Sequence, residues 1–181
     1  TTKRIPTFFD GSDVRHVSMG EPFSAGMRNC LVQTCDDLEF AHHDGGTIVT
    51  IEGPRFSTKA ESKLFRSWGC DVINMSTVPE ICLARELELE YQSIAMSTDY
   101  DCWHPDHDHV TVESIIAVLF DNADKGRALI KQIAPKLAER GKTCRAGCQT
   151  ALDNAIITAP DARDTKMAAK LDAIAGRVLS R

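Results

Sequence analysis

Apolar positions recur at three- and four-residue intervals in several stretches of the chain, and this spacing predicts amphipathic helices. One helix begins near residue 24 and ends before a polar turn at residues 42–46. A long helix is predicted at residues 112–137, kinked or ended near Pro135 because proline lacks the amide that the helix needs. Further helices are predicted at residues 57–68, 78–88, 148–157 and 165–179.

Three apolar runs between these helices have the β-branched residues typical of strands. They cover residues 47–52, 71–75 and 91–96, and one more short strand is expected around residues 16–19. The alternation of strand and helix with short links predicts an α/β fold with at least some parallel pairs. In such a fold the ligand site lies at the carboxyl ends of the strands. Because the pattern contains no repeat or low-complexity linker, residues 1–181 are expected to form a single domain.

The composition narrows the class of partner. The 181 residues are 43% hydrophobic and 26% charged, with 21 Lys and Arg against 26 Asp and Glu and without a dense basic run. This balance favours a globular protein that acts on small molecules, and it argues against nucleic acid or a membrane surface as partner. The apolar stretches are too short to span a bilayer and the start lacks a secretory signal, so a cytoplasmic protein is expected.

Two groups of residues could be taken for metal or disulfide sites. Cys144 and Cys148 could pair or bind a metal, but among seven cysteines of a cytosolic chain we predict structural thiols. Residues 104–109, rich in His and Asp, resemble a metal cluster together with His42 and His43. They lack the fixed spacing of known sites, so we predict a solvated loop and no metal.

Polar segments follow the first two predicted strands. Residues 52–57 form a Gly-Pro turn that presents Phe56 and Ser57, an aromatic face and a hydroxyl that suit a base, although Phe56 in the core is the alternative. After the second strand, Ser76 and Thr77 stand at a helix start, where amides and hydroxyls suit an oxyanion such as phosphate. A simple N-cap is the alternative there.

The third polar segment, residues 98–103, contains Asp99 and Asp101 directly after the third predicted strand. Carboxylates two residues apart at a strand end face the same side, and their repulsion can keep one of them protonated near neutrality. A departing purine needs such an acid because its imidazole nitrogen gains negative charge as the glycosidic bond breaks. A solvated acidic turn or a cation site is the alternative.

Longer strings around these segments resemble the 5'-methylthioadenosine phosphorylase family of purine nucleoside phosphorylases. The similar strings are residues 47–57, 61–66, 71–80 and 93–103, with His16 and residues 19–23 before them. Several long motifs in order are far more specific than one short pattern. The resemblance implies a phosphorylase/hydrolase-like mixed sheet flanked by helices. It also implies phosphorolysis of 5'-methylthioadenosine to adenine and 5-methylthioribose 1-phosphate in purine and methionine salvage.

The resemblance also implies roles for individual residues. Phe56 and Ser57 would line the base pocket, and Met75 would lie against the ribose. Asp99 and Asp101 would hold adenine, with Asp99 assisting proton delivery to the imidazole nitrogen. Inorganic phosphate would be the co-substrate, without a metal or organic cofactor.

The remaining implied roles concern phosphate and the subunit interface. Ser76, where many relatives have Thr, would contact phosphate, and Thr98 would help it. His16 would cap the methylthio group from an adjacent subunit of a homotrimer. Members of the family have an N-terminal segment with a Gly-rich phosphate loop and an Arg-His pair. This chain begins with Thr-Thr and has neither, so we expect a fragment or a truncated form lacking the N-terminal strands.

Two other functions stay open. A 6-oxopurine nucleoside phosphorylase would be expected to have a neutral amide in place of an aspartate at the base, which Asp99 and Asp101 argue against. A truncated, non-catalytic assembly module of the same fold is the second alternative.

Overall fold

The computed structural model describes residues 3–9, 14–104, 112–141 and 144–180. The helices and strands, in chain order, are α1 Ala25–Asp37, β1 Ile48–Thr50, α2 Lys59–Ser67, β2 Val72–Asn74, α3 Thr77–Glu86, α4 Val112–Arg140, α5 Thr165–Lys170 and α6 Asp172–Leu179. Two compact units result. The terminal unit consists of Thr1–Arg28, Ser76–Ser93 and Lys142–Arg181, and the sheet unit of Asn29–Met75 and Ile94–Gly141.

In the sheet unit, β1 and β2 pair in parallel, with Ile48 opposite Val72 and Thr50 opposite Asn74. Parallel strands need a crossover connection, and α2 provides it. The Thr50 hydroxyl also donates to Asn74 Oδ1 at 3.1 Å, which joins the two strands at their carboxyl ends. The predicted α/β fold is confirmed at this strand–helix–strand unit.

Helix α2 begins with a capping box. The Thr58 hydroxyl accepts the Glu61 amide, and the Glu61 carboxylate accepts the Thr58 amide. These reciprocal bonds satisfy two amides that the first helical turn leaves unpaired. Gly69 follows the helix with φ of +75°, a left-handed conformation in which glycine avoids the Cβ penalty.

The long helix α4 confirms its prediction except at its end. It continues past Pro135 to Arg140, so of the two predicted alternatives the end near Pro135 is wrong, and the kink stays a prediction. Leu129 and Ile133 are buried. The Lys136 ammonium donates to Thr34 and Asp37 of α1 at 3.2 and 2.6 Å, so contacts with α1 hold the last turns of α4.

The core of the terminal unit is a cluster of buried apolar side chains: Phe9, Leu152, Ala155, Met167, Leu171, Ala175 and Val178. The predicted helix at 165–179 is two helices, because Leu171 leaves helical geometry between α5 and α6. The predicted helix at 148–157 is wrong. A short 3-10 helix, Cys148–Thr150, is followed there by turns.

Two charged residues at the end of α3 are buried in the terminal unit. Glu86 accepts hydrogen bonds from the Thr7 hydroxyl and the Phe8 amide, both at 2.7 Å. Arg85 donates to the Glu21 carbonyl at 2.5 Å. Buried charges remain in a protein only when hydrogen bonds replace water. These bonds therefore connect α3 to the first residues of the chain.

Two predicted strands are wrong. Residues 91–96 form no strand, and in the part of the chain that the structure describes the sheet consists of the two parallel strands β1 and β2. The predicted strand at 16–19 is reduced to one antiparallel bridge between Arg15 and Ile156. A β-branched run becomes a strand only where a neighbour accepts its hydrogen bonds.

The prediction of free thiols at Cys144 and Cys148 is also wrong, since their sulfurs are bonded. Gly147, with φ of +68°, turns the chain back, and its amide donates to the Cys144 carbonyl at 3.1 Å. The turn brings the two Cα atoms to 5.6 Å, a usual separation for a disulfide.

Among the described residues, no helix combines the length and apolar character needed to cross a bilayer.

Candidate functional site

The turn after β1 is shaped by a contact with the end of β2. Gly53 has φ of +69°, and a β-carbon built on it would lie 2.6 Å from Met75 Sδ. A β-carbon cannot lie that close, so alanine at this position would require the Met75 side chain to move as well as a left-handed backbone. Met75, the predicted ribose neighbour, therefore packs directly on the turn that precedes Phe56 and Ser57.

An ion pair holds the same turn to α2. Both Arg55 terminal nitrogens donate to the Glu61 carboxylate, at 2.7 and 2.8 Å. These bonds, and those from Thr58, hold the pKa of Glu61 well below its usual range. Arg55 also donates to the Phe56 carbonyl at 3.0 Å, so its side chain joins the backbone of the turn to the first turn of α2.

Phe56 and Ser57 differ sharply in exposure. The Phe56 side chain is 84% exposed, so the alternative that it belongs to the core is wrong. Ser57 Oγ, by contrast, is buried without a hydrogen-bond partner among the described residues. Ser57 also lines a cavity of about 80 Å³ together with Ile51, Glu52, Gly53, Arg55 and Glu61. This volume suits a single polar group rather than a whole nucleoside.

The turn at residues 98–103 has its own hydrogen bonds. Asp99 accepts the Thr98 hydroxyl on one carboxylate oxygen and the Asp101 amide on the other, both at 2.8 Å. Asp101 has φ of +56° and begins a 3-10 helix, Asp101–Trp103. The prediction that the two carboxylates share one side of a strand end is therefore wrong, because this backbone is a turn.

Helix α2 contacts this turn through Ser62. The Ser62 hydroxyl donates to Asp101 Oδ2 at 2.6 Å. The Cys102 thiol contacts the Ser57 carbonyl at 3.6 Å, which joins the turn to the segment after β1. Burial, followed by the charge of Asp101, raises the pKa of Cys102. The structure thus brings the predicted residues Ser57 and Asp101 into one local network.

Arg66 makes a second contact between α2 and the turn. Its guanidinium lies 3.5 Å from the centroid of the Trp103 ring, a cation–π distance. Sequence reasoning assigned no role to Ser62 or Arg66. Their four-residue separation on a helix places them on one face, which is the signal that could have identified them.

The other two predicted site residues belong to the terminal unit. Ser76 is exposed at the start of α3, and its side chain does not make the capping hydrogen bond that the alternative required. His16 is also exposed, and its amide donates to the Ala155 carbonyl at 2.9 Å. The residues predicted for base and ribose, with Thr98, all lie in the sheet unit.

The possible metal ligands are separate. In the described ranges, no three His, Cys, Asp or Glu residues are grouped to hold a metal ion. His42 bonds to the Phe40 carbonyl at 2.9 Å and lies 3.7 Å from Asp36. Residues 105–109 of the predicted solvated loop lie outside the described residues.

Comparison with known proteins gives one consistent family. The model of the phosphorylase superfamily matches residues 1–135. An S-methyl-5'-thioadenosine phosphorylase of Rhodospirillum rubrum is 51% identical over 179 residues, which are 99% of this chain and 61% of the relative. One of Danio rerio is 46% identical over 144 residues, 77% of this chain and 51% of the relative.

Solved structures agree with the sequence relatives. A methylthioadenosine phosphorylase from an antarctic soil metagenomic library superposes with a TM-score of 0.86 at 37% identity, covering 94% of this chain and 60% of that one. The Schistosoma mansoni methylthioadenosine phosphorylase in complex with adenine gives 0.71 at 32% identity, covering 77% and 55%.

The chain spans about three fifths of the length of the curated relatives that it matches over nearly its whole length. The superfamily match covers well over half of the chain, and the fold and sequence comparisons agree with it. The chain therefore belongs to the phosphorylase superfamily, in which it is similar to the S-methyl-5'-thioadenosine phosphorylases.

Proposed function

We propose that this chain acts in the phosphorolysis of 5'-methylthioadenosine to adenine and 5-methylthioribose 1-phosphate, a pentosyl transfer of purine and methionine salvage. The observation that carries the proposal is the network of the sheet unit. There the turn of Asp99 and Asp101 is bonded both to α2 and to the backbone of Ser57. The names of the relatives support the choice of reaction.

Adenine fits the chemistry of these groups. Its exocyclic amine is a donor that a carboxylate such as Asp101 accepts. Ser57 has a buried hydroxyl without a partner among the described residues, and a polar base edge would satisfy it. Phe56, with its ring exposed, offers a flat apolar face for stacking.

In the proposed mechanism, phosphate attacks the anomeric carbon while the bond to adenine loosens through an oxocarbenium-like state. Asp99 assists protonation of the departing imidazole nitrogen, which prevents charge from building up on the base. Met75 lies against the ribose. Ser76 and Thr98 contact the phosphate, which Thr98 can do after its hydroxyl leaves Asp99.

The proposal includes the setting of the enzyme. Inorganic phosphate is the co-substrate. The reaction needs no metal or organic cofactor, because phosphate is the nucleophile and protonation makes adenine a good leaving group. Residues 1–181 belong to one nucleoside phosphorylase domain, in a cytoplasmic homotrimer. His16 caps the methylthio group of the substrate that is bound to a neighbouring subunit.

The test is adenine release from 5'-methylthioadenosine by the full 181-residue chain, with and without phosphate. We expect release only with phosphate, and a loss of at least about 100-fold in Asp99→Asn, because general acid catalysis contributes about that much. Asp121→Asn is the matched control, since this exposed aspartate pairs with Lys125 on α4.

Three outcomes would contradict the proposal or part of it. Adenine binding by a folded sample without phosphate-dependent release would refute phosphorolysis by this chain. Equal rates in Asp99→Asn and Asp121→Asn would remove Asp99 from the mechanism. Release of hypoxanthine from inosine in preference to adenine would instead favour a 6-oxopurine enzyme.

A further inference from the structure

A buried hydroxyl on α2 holds one carboxylate of the proposed adenine site. Ser62 is only 2% exposed, and its hydroxyl donates to Asp101 Oδ2 at 2.6 Å although the two residues are 39 positions apart. A short hydrogen bond to a carboxylate in a poorly solvated place is stronger than one between neutral groups. Packing around Ser62 leaves its side chain few alternatives, so the bond orients Asp101.

Asp101 needs such an anchor because its backbone is left-handed. Its φ of +56° is disfavoured for a residue with a β-carbon, and such conformations persist where the surroundings enforce them. Asp99 holds the backbone by accepting the Asp101 amide at 2.8 Å. Ser62 holds the side chain, so backbone and carboxylate are fixed by separate partners.

The other end of the short helix is held from the same face of α2. Arg66 lies one helical turn after Ser62, and its guanidinium lies 3.5 Å from the centroid of the Trp103 ring. Trp103 ends the 3-10 helix that Asp101 begins. Helix α2 therefore contacts both ends of the segment that presents Asp101.

We propose that Ser62 is a positioning residue that keeps Asp101 oriented as a hydrogen-bond acceptor for the exocyclic amine of adenine, with Arg66 supporting the turn. The inference rests on the proposed function through the contact of Asp101 with adenine. Hypoxanthine presents a carbonyl where adenine has the amine, and a fixed carboxylate repels it. A carboxylate released from Ser62 can rotate away from the base, so it discriminates less between the two bases.

The experiment measures binding of adenine and of hypoxanthine to the full chain by calorimetry, which does not depend on turnover. Ser62→Ala is compared with Ser67→Ala, whose exposed hydroxyl bonds to the Leu64 carbonyl of its own helix at 2.7 Å. We expect Ser62→Ala to lose about tenfold in adenine affinity, with a smaller loss for hypoxanthine. Ser67→Ala should bind both bases as the wild type does.

Arg66→Met is the second variant in case Ser62→Ala unfolds, because Arg66 is exposed and its removal leaves the packing of α2 intact. Its expected loss of adenine affinity is about two- to threefold, the size of an exposed cation–π contact, again with reduced preference for adenine. Thermal unfolding checks that each variant is folded.

Wild-type affinity in Ser62→Ala would overturn the inference. An equal loss for both bases would also overturn it, because a merely structural role lowers both affinities together. If only Arg66→Met folds, an unchanged preference for adenine in it overturns the inference. A wild-type chain that binds adenine but does not release it from the nucleoside refutes the proposed phosphorolysis and leaves this comparison intact. A wild-type chain that binds neither base overturns the inference as well.

Discussion

Met75 occupies the space that a side chain at Gly53 would need. A β-carbon on Gly53 would lie 2.6 Å from Met75 Sδ. The two residues follow the neighbouring parallel strands β1 and β2, whose carboxyl ends lie together. The missing side chain at Gly53 therefore leaves room for the side chain of Met75, the proposed ribose neighbour.

Substitution of Gly53 by alanine tests this contact, and Gly69→Ala is its matched control. Both glycines have positive φ, +69° and +75°, but only Gly53 has an atom within 4 Å of the added carbon. We expect Gly53→Ala to lower the free energy of unfolding by about 1 kcal/mol more than Gly69→Ala, the low end of overpacking, because the flexible Met75 side chain can move to admit the added carbon. Denaturant unfolding measures both. Equal losses would mean that backbone strain alone requires glycine at position 53.

The pairing of Arg55 with Glu61 predicts a pH dependence. Hydrogen bonds from Arg55, and then from Thr58, lower the pKa of Glu61. The carboxylate therefore stabilises the folded state above the unfolded pKa of about 4.3, and this contribution is lost as the pH falls through the lower folded pKa. Carbon-detected titration should find Glu61 still ionised at a pH where an ordinary glutamate is half protonated.

Arg55→Gln should move the pKa of Glu61 back toward its ordinary value, because it removes the hydrogen bonds from Arg55, which lower that pKa the most. Arg127→Gln is the control, since Arg127 pairs with Asp124 on α4. A Glu61 titration that is the same in both variants would show that Thr58 alone determines it.

Local signals were sufficient for the elements around the site. The β-branched run at 47–52 and the helical spacing at 57–68 each act within a few positions, and the structure has β1 and α2 there. The capping pair Thr58 and Glu61 and the left-handed Gly69 are equally local features that bound α2. The exposure of Phe56 did not follow from the local pattern, which allowed either an exposed ring at the Gly-Pro turn or a ring in the core.

Contacts between distant positions could not be predicted in this way. The apolar run at 91–96 reads as a strand, but strand formation depends on a partner that the run itself does not specify. The bond between Ser62 and Asp101 spans 39 positions, and nothing local to either residue indicates it. The Cys144–Cys148 bond joins nearby positions and depends on the left-handed turn at Gly147. Free thiols were predicted there because cytosolic proteins usually keep their cysteines reduced.

Tyr91 is expected to titrate unusually late. Burial, and then the hydrogen bond that its hydroxyl donates to Glu80 at 2.9 Å, raises the pKa of Tyr91 to about 12. The protonated phenol therefore stabilises the fold below the unfolded pKa of about 10, and this contribution disappears as the pH rises through the folded value. Ultraviolet absorbance of phenolate should detect a step near pH 12 that Tyr91→Phe removes.

Glu80→Gln should lower the pKa of Tyr91 only in part, because burial is the larger cause. Tyr100 is the other tyrosine of the chain, so Tyr100→Phe is the control and should leave the late step in place. Disappearance of the step in Tyr100→Phe would show that the step belongs to Tyr100 and would contradict the prediction.

The cysteine chemistry predicts a definite thiol count. The chain has seven cysteines, of which Cys144 and Cys148 are bonded to each other. Denatured protein should therefore react with five equivalents of a thiol reagent before reduction and seven after it. Seven equivalents without reductant would contradict the bond.

Reduction should lower the free energy of unfolding by about 2 kcal/mol at most. The reason is that the bond closes a loop of only five residues, and a short loop removes little entropy from the unfolded chain. The cost is expected within the terminal unit, since Arg85 donates to the Ala146 carbonyl at 3.4 Å and contacts Cys148 Sγ at 3.5 Å. Denaturant unfolding of the wild type with and without dithiothreitol measures it. The Cys144→Ser, Cys148→Ser double variant is the control and should be insensitive to dithiothreitol. A response of that variant as large as that of the wild type would attribute the effect to another cysteine.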